Sequence, residues 1–140
     1  MAQKILVVDN SPVILKLVTH ILETNDHVVK TAENGLEALE VLENFQPDII
    51  FIDLIMPKIS GDVLCRIIRS RKEFHNVILV ILSAVAAEEA ENYLTFGADA
   101  YIAKGPAKEM AKNINYVIEN CQANTYQLSN NEILGIGSVH

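Results

Sequence analysis

"PDIIFID" occupies residues 47–53. Its core, Ile49 to Ile52, is apolar at odd and even positions alike, and a single carboxylate, Asp53, closes it. A strand with one wet face alternates apolar with polar side chains. A strand apolar on both faces is covered twice, as in a parallel sheet with helices above and below. "KILVV" (4–8) and "NVILVILSA" (76–84) have the same character, and the second is the most apolar strand of the chain.

The segments between these runs have helical spacing. "SPVILKLVTHILETN" (11–25) places Ile14, Leu17, Val18, Ile21 and Leu22 at helical intervals. Ser11 followed by Pro12 is a helix start, a hydroxyl cap and then a proline at the first helical position. "HVVKTA" (27–32) reads as a strand. "NGLEALEVLENF" (34–45) reads as a helix with Leu36, Leu39 and Leu42 on or near one face, followed by the opening strand and a loop, "LIMPKISG" (54–61). "DVLCRIIRSRKEF" (62–74) is expected to be a helix with Val63, Ile67 and Ile68 inward and Arg66, Arg69 and Arg71 largely outward. "AAEEAENYLTFG" (86–97) reads as a short helix closed by Gly97, "DAYIAK" (99–104) as a strand, and "PAKEMAKNINYVIENC" (106–121) as the last helix. Five strands alternate with five helices. The expected fold class is α/β: a three-layer, doubly wound (βα)5 flavodoxin-like domain with a parallel five-stranded sheet in the order 2-1-3-4-5.

The 140 residues suit one domain, and half of them are hydrophobic, so a normal core is expected. Eighteen acids against 11 bases give a formal charge of -7. That balance argues against direct nucleic-acid or membrane binding by this domain, since both need a positive surface. Cys65 and Cys121 lack metal-ligand spacing and read as free thiols of a reducing cytosol. The start is too short for a signal peptide, and no apolar run reaches membrane-span length, so a soluble, cytoplasmic protein is expected. Residues 1–121 form the expected domain. The polar tail 122–140, with its apolar patch Ile133–Ile136, reads as a linker or the start of a truncated output module.

In a sheet of this order, ligands bind outside the carboxyl ends of the strands, at the gap between strands 1 and 3. Asp9 and Asn10 end strand 1, Asp53 ends strand 3, Ser83 ends strand 4 and Lys104 ends strand 5. Two carboxylates and an amide oxygen suit a hydrated magnesium ion; a hydroxyl and an ammonium suit an anion. Together they form a phosphoryl-transfer arrangement in which one carboxylate, best Asp53, is the nucleophile. Each residue has a plainer reading when taken alone. A lone acid or serine after a strand is often a helix cap, a lysine a surface charge, and Tyr101 a core residue. Four strand ends supplying compatible groups to one rim make the functional reading the stronger one.

"ILVVDNSPVILKLV", "PDIIFIDLIMPKISG", "VILVILSA" and "ADAYIAK" resemble the receiver domains of bacterial two-component response regulators, over residues 3 to 121. The D-x-x-M-P-x-x-x-G run from Asp53 to Gly61 is the most specific part. The resemblance implies that Asp53 accepts a phosphoryl group from a histidine kinase or phosphotransfer protein. It implies Ser83 and Lys104 as its binding partners, with magnesium held by Asp53, Asn10 and the Ile55 backbone carbonyl, and by Asp9 through water. Ser83 and Tyr101 would form the switch. Helix 4, strand 5 and helix 5, with Tyr93, Tyr101 and Met110, would form the output face for an output domain or a second copy. Such a domain is a signalling switch, not an enzyme: it transfers phosphate only onto itself and sheds it slowly.

Three positions depart from that pattern. Asn10 stands where the family has a second acid, so weaker magnesium binding is expected. Gly105 separates Lys104 from Pro106, which leaves a cis bond at Gly105–Pro106 or none. Ile55 and Val85, each two residues beyond a site residue, are apolar and could hinder an attacking water. The alternative reading is a pseudo-receiver, the same fold used as a phosphorylation-independent protein-binding module because of Asn10. A flavin- or nucleotide-binding enzyme is disfavoured, because "DNSPVIL" lacks a glycine-rich phosphate loop.

Overall fold

In a computed structural model, residues 2–84 and 93–121 are described, with the backbone alone at 93, 94 and 121. The elements are β1 (Lys4–Val8), α1 (Pro12–Thr24), β2 (Val28–Ala32), α2 (Gly35–Leu42), β3 (Ile49–Ile52) and α3 (Gly61–Arg69). A 3-10 turn (Lys72–Phe74), β4 (Ile78–Ser83), a second 3-10 turn (Tyr93–Phe96), β5 (Ala100–Ala103) and a C-terminal helix (Ala107–Cys121) follow. All five strands are parallel, in the order β2-β1-β3-β4-β5. The expected fourth helix, 86–97, lies mostly outside the described residues; its end forms the second 3-10 turn. Val85 and the tail 122–140 also lie outside them.

The sheet is apolar on both sides, as its sequence requires. On one side Ile5, Val7, Phe51, Val80 and Ile102 pack against α1 and the C-terminal helix. On the other side Leu6, Ile50, Ile52, Leu79 and Ile81 pack against α2 and α3. β2 is an edge strand, and only its last residue, Ala32, is buried.

Local signals place the helix starts. The Ser11 hydroxyl accepts from the Ile14 amide at 3.3 Å, with Pro12 next in the first turn. Asn34 caps α2 by accepting from the Glu37 amide at 2.9 Å, and the Glu37 carboxylate returns to the Glu33 amide at 3.0 Å. Each such cap is worth about 1 kcal/mol.

Helix faces were read less well. Leu36 and Val63 are largely exposed, while Ala38, Leu42, Leu64, Cys65 and Ile68 carry the buried stripes. α3 begins at Gly61 and its inward stripe runs 61-64-65-68, so Val63 falls off it and Ile67 sits at its margin. Arg69 is not an outward charge. Its Nε donates to Gly97 O at 2.8 Å and its guanidinium to Val77 O at 2.7 Å. It also donates to the Asp99 carboxylate at 2.6 Å. Gly97, at φ +99, lies against its stem; a Cβ there would come within 2.6 Å of Arg69 Cγ.

Candidate functional site

Backbone pairing brings the strand ends together. The Asp9 amide donates to Ala32 O at 3.1 Å and the Asp53 amide to Val8 O at 3.0 Å, so the two acids leave β1 and β3 side by side. Across the sheet, the Lys104 amide donates to Ser83 O at 2.9 Å. Asp9 and Asp53 are 1% and 5% exposed, two buried carboxylates at one rim. Buried charges need partners, and Lys104 supplies one to both. Its Nζ lies 2.7 Å from Asp9 Oδ2 and donates to Asp53 Oδ2 at 3.3 Å.

The remaining carboxylate oxygens face backbone donors. Asp9 Oδ1 accepts from the Ser11 amide at 2.9 Å, which also fixes the turn into α1. Asp53 Oδ1 accepts a long 3.4 Å bond from the Ile55 amide. Asp9 Oδ2 is buried and has no hydrogen-bond partner among the described residues; the Lys104 ammonium beside it forms an ion pair.

Asn10, next to Asp9 in sequence, is exposed, and Ile55, two residues beyond Asp53, is 68% exposed. Ser83 is fully buried at the end of β4, and Tyr101 is buried in β5. Ser83 pairs with Ala103 and Ile81 with Tyr101, so two-residue alternation puts the Ser83 and Tyr101 side chains on the same sheet face. Burial raises the Tyr101 phenol above its usual range. The Gly105–Pro106 bond is trans.

Part of the sequence-derived output face needs correction. Met110 is 1% exposed, in the core with Ile114, Val117 and Ile118. Positions 110, 114, 117 and 118 form the sheet-facing stripe of the C-terminal helix, so Met110 fills the interior. Tyr101, in this conformation, also points into the core, against the α3 side of the sheet. The Tyr93 side chain lies outside the described residues.

The loop after Asp53 folds back on itself. The Gly61 amide donates to Leu54 O at 2.9 Å. A Cβ on Gly61 would sit 2.2 Å from Asp53 O and 2.7 Å from Leu54 Cα. Only glycine permits this approach, so Gly61 sets where Asp53 stands. In the same loop Lys58 adopts φ 71, a left-handed conformation unusual for a non-glycine residue. The sequence reading noted Gly61 as part of a motif but missed its contact; nothing in a sequence states which atoms a missing Cβ would meet. Cys65, on the core-facing side of α3, has its thiol pushed up to about 12 by burial, which keeps it protonated and unreactive.

The residues fit a hard divalent cation. The donors are oxygens only, and one of them, Asp9 Oδ2, is a buried carboxylate oxygen with hydrogen-bonding capacity unused. Among the described residues no three acidic, histidine or cysteine side chains gather as a metal-binding group. Asp9 and Asp53 are the charged oxygen donors that the described residues bring together here.

The sequence of residues 5–115 matches the family model described as the response regulator receiver domain. The chain belongs to the response regulator receiver domains. As a receiver domain of a two-component response regulator, it is a signalling switch. It is 31% identical over 141 residues to the alkaline phosphatase synthesis transcriptional regulatory protein PhoP of Bacillus subtilis, an alignment covering 96% of this chain and 57% of PhoP. It is 34% identical over 109 residues to the response regulator MprA of a Mycobacterium species, covering 78% of this chain and 47% of MprA. The receiver chain thus spans about half the length of these curated relatives. Among solved structures, the chemotaxis response regulator CheY4 of Vibrio cholerae matches with a TM-score of 0.77 and 25% identity, covering 84% of this chain and 99% of CheY4. The Francisella response regulator 1452 receiver domain matches with a TM-score of 0.72 and 29% identity, covering 84% and 97%. Among the described residues, no helix of this receiver is long and apolar enough to cross a membrane.

Proposed function

We propose that this receiver accepts a phosphoryl group on Asp53 from the phosphohistidine of a sensor kinase or phosphotransfer protein, in a magnesium-dependent reaction. The observation that carries the reading is the pair of buried carboxylates, Asp9 and Asp53, bridged by Lys104 at the switch point between β1 and β3. A carboxylate oxygen of Asp53 attacks phosphorus; the P–O bond forms as the P–N bond breaks, and that electron pair stays on the imidazole nitrogen. When bound, magnesium offsets the negative charge of the carboxylates and of the arriving phosphoryl oxygens. Asp9, Asn10, Asp53 and the Ile55 carbonyl are the residues to hold it. Lys104 and the Ser83 hydroxyl receive the phosphoryl oxygens.

The added dianion draws Lys104 and Ser83 toward Asp53, and the space vacated near Ser83 is open to Tyr101 on the same face. That coupling biases the surface formed by the segment before β5, by β5 and by the C-terminal helix. In this reading residues 1–121 are the receiver, and 122–140 are a linker or the beginning of an output module. The partners are the phosphodonor protein and an output domain or second copy on the switching face.

Incubation with a small phosphodonor and magnesium, followed by intact mass measurement, tests the reading. A phosphoryl-sized gain is expected, and it should vanish in Asp53→Ala. No gain in the wild-type chain would leave the phosphorylation-independent binding module as the better reading, with Asn10 as its cause. The exposed Ile55 side chain adds a second expectation. It excludes water from one side of the phosphoryl group, so Ile55→Asn should shorten the phosphoryl half-life several-fold. A half-life equal to wild type would sink that idea.

A further inference from the structure

The turn between β2 and α2 touches both halves of the site, although none of its residues belongs to it. Where β2 ends, Ala32 O accepts from the Asp9 amide at 3.1 Å. The Asn34 side chain then caps α2, and Glu37 returns to the Glu33 amide, so the start of this helix is fixed from both sides. Gly35, its first residue, is buried and lies against the loop after Asp53. A Cβ on Gly35 would stand 2.7 Å from Ile59 Cβ, 3.1 Å from Ile59 Cγ2 and 3.4 Å from Ile59 O. Gly97 is the only described glycine with a positive φ, so backbone conformation does not call for glycine at 35. Alanine is also the better helix former. What position 35 requires is the space that Ile59 fills.

The loop has little slack elsewhere. The Ile59 amide donates to Pro57 O at 2.8 Å across Lys58, whose φ is 71. A three-residue turn with positive φ at its centre is the rare, strained kind. Such a turn persists only where its surroundings hold it. Met56 on one side of it is buried in the core between the sheet and α2 and α3, and Ile59 on the other packs against the same core. Beyond Ile59, Gly61 is pressed against Asp53 O.

We propose that Gly35 and Ile59 are positioning residues for phosphoryl transfer: the bare Cα of Gly35 is the seat that holds the loop after Asp53 in place. The inference rests on the proposed phosphorylation of Asp53 and concerns what keeps that loop in register. A Cβ at position 35 meets the Cβ of Ile59, which no rotamer change moves. The strained turn must shift instead. Gly61 blocks movement on its far side, so the shift passes back through Met56 to Ile55 and Asp53. Ile55 carries the backbone carbonyl proposed for magnesium, so the rate and the magnesium requirement should change together.

The full chain and its variants are phosphorylated with a small phosphodonor over a magnesium titration, followed by intact mass, and unfolded in urea. Rates are counted per folded molecule. Gly35→Ala should slow phosphorylation about tenfold at saturating donor and magnesium, and should raise the magnesium midpoint. In an Ile59→Gly background the same change should cost less than about twofold, because the atoms it would meet are gone. Ile59→Val keeps both side-chain atoms that face Gly35 and should match wild type, whereas Ile59→Ala should be slower and need more magnesium. A purely structural contact would lower the urea midpoint and leave the rate and the magnesium midpoint at wild-type values, and that result overturns the inference. So does an equal loss from Gly35→Ala in both backgrounds. If Gly35→Ala does not fold, the Ile59→Val and Ile59→Ala pair decides: wild-type behaviour in both overturns the inference. A wild-type chain that takes up no phosphoryl group overturns the phosphorylation reading itself, and the inference with it.

Discussion

Gly61→Ala should be the most damaging single methyl in this domain. The added Cβ would stand 2.2 Å from the backbone oxygen of Asp53 and 2.7 Å from Leu54 Cα. Both are backbone atoms at the end of β3, so no side-chain rotation relieves the clash. Either α3 backs away from the sheet, opening the layer that buries Leu64, Cys65 and Ile68, or the Asp53–Leu54 segment shifts. The cost is expected at about 3 kcal/mol, the upper end for overpacking. Urea unfolding measures it: the midpoint should fall with an unchanged slope. The larger consequence is functional. A displacement on the order of 1 Å at a reacting group costs about 100-fold in rate, so phosphorylation from a small donor should slow by about that factor even where the variant remains folded. A variant with wild-type stability and wild-type phosphorylation rate would show that the loop is slack, contrary to its close packing.

Arg69→Ala should follow in severity, through stability. The guanidinium joins three places: the end of α3, the turn before β4 through Phe74 O and Val77 O, and the turn before β5 through Gly97 O and Asp99. Asp99 Oδ2 in turn accepts from the Leu79 amide at 2.9 Å, so one carboxylate ties β4 to Arg69. Burial raises the Asp99 carboxyl above its usual range, an effect that the Leu79 amide and the Arg69 guanidinium counter. Removing the arginine leaves several carbonyls without a donor and the carboxylate without its cation. The pair is partly exposed, at 22% and 42% for the two side chains, so the loss is expected at about 2–3 kcal/mol, below that of a fully buried pair. Arg69→Lys should recover little of it, since one ammonium cannot reach acceptors that a planar fork spans. Full recovery in Arg69→Lys would mean that charge alone matters there.

These two residues mark where sequence reading succeeds and stops. The strands were legible because a doubly covered strand must be apolar at consecutive positions, as Ile49–Ile52 and Ile78–Leu82 are. The helix starts were legible because Ser11, Pro12 and Asn34 act within three residues of themselves. Helix faces were harder. In short helices such as α2 and α3, Leu36 and Val63 carry the right chemistry at positions that the tertiary packing leaves outside. Met110 was placed on the surface by analogy, although it lies on the same stripe as Ile114 and Val117. Arg69 was read as solvent-facing because a charge usually is; one turn beyond Cys65, its long side chain reaches acceptors 28 and 30 residues away.

By itself the sequence determined the alternation of elements, the strand order and the set of groups at the rim: Asp9, Asn10, Asp53, Ser83 and Lys104. Those follow from local patterning and from the rule that a doubly wound sheet opens at the carboxyl ends of its central strands. The tertiary structure alone decided how the charges share the site. Whether Lys104 favours Asp9 or Asp53 depends on differences of a few tenths of an ångström between side chains over 50 residues apart. The contact that forbids a Cβ on Gly61, with backbone atoms of Asp53 and Leu54, is likewise visible only in three dimensions. Residue type gives each group its chemistry, while through-space distance and burial decide which of the available partners it takes.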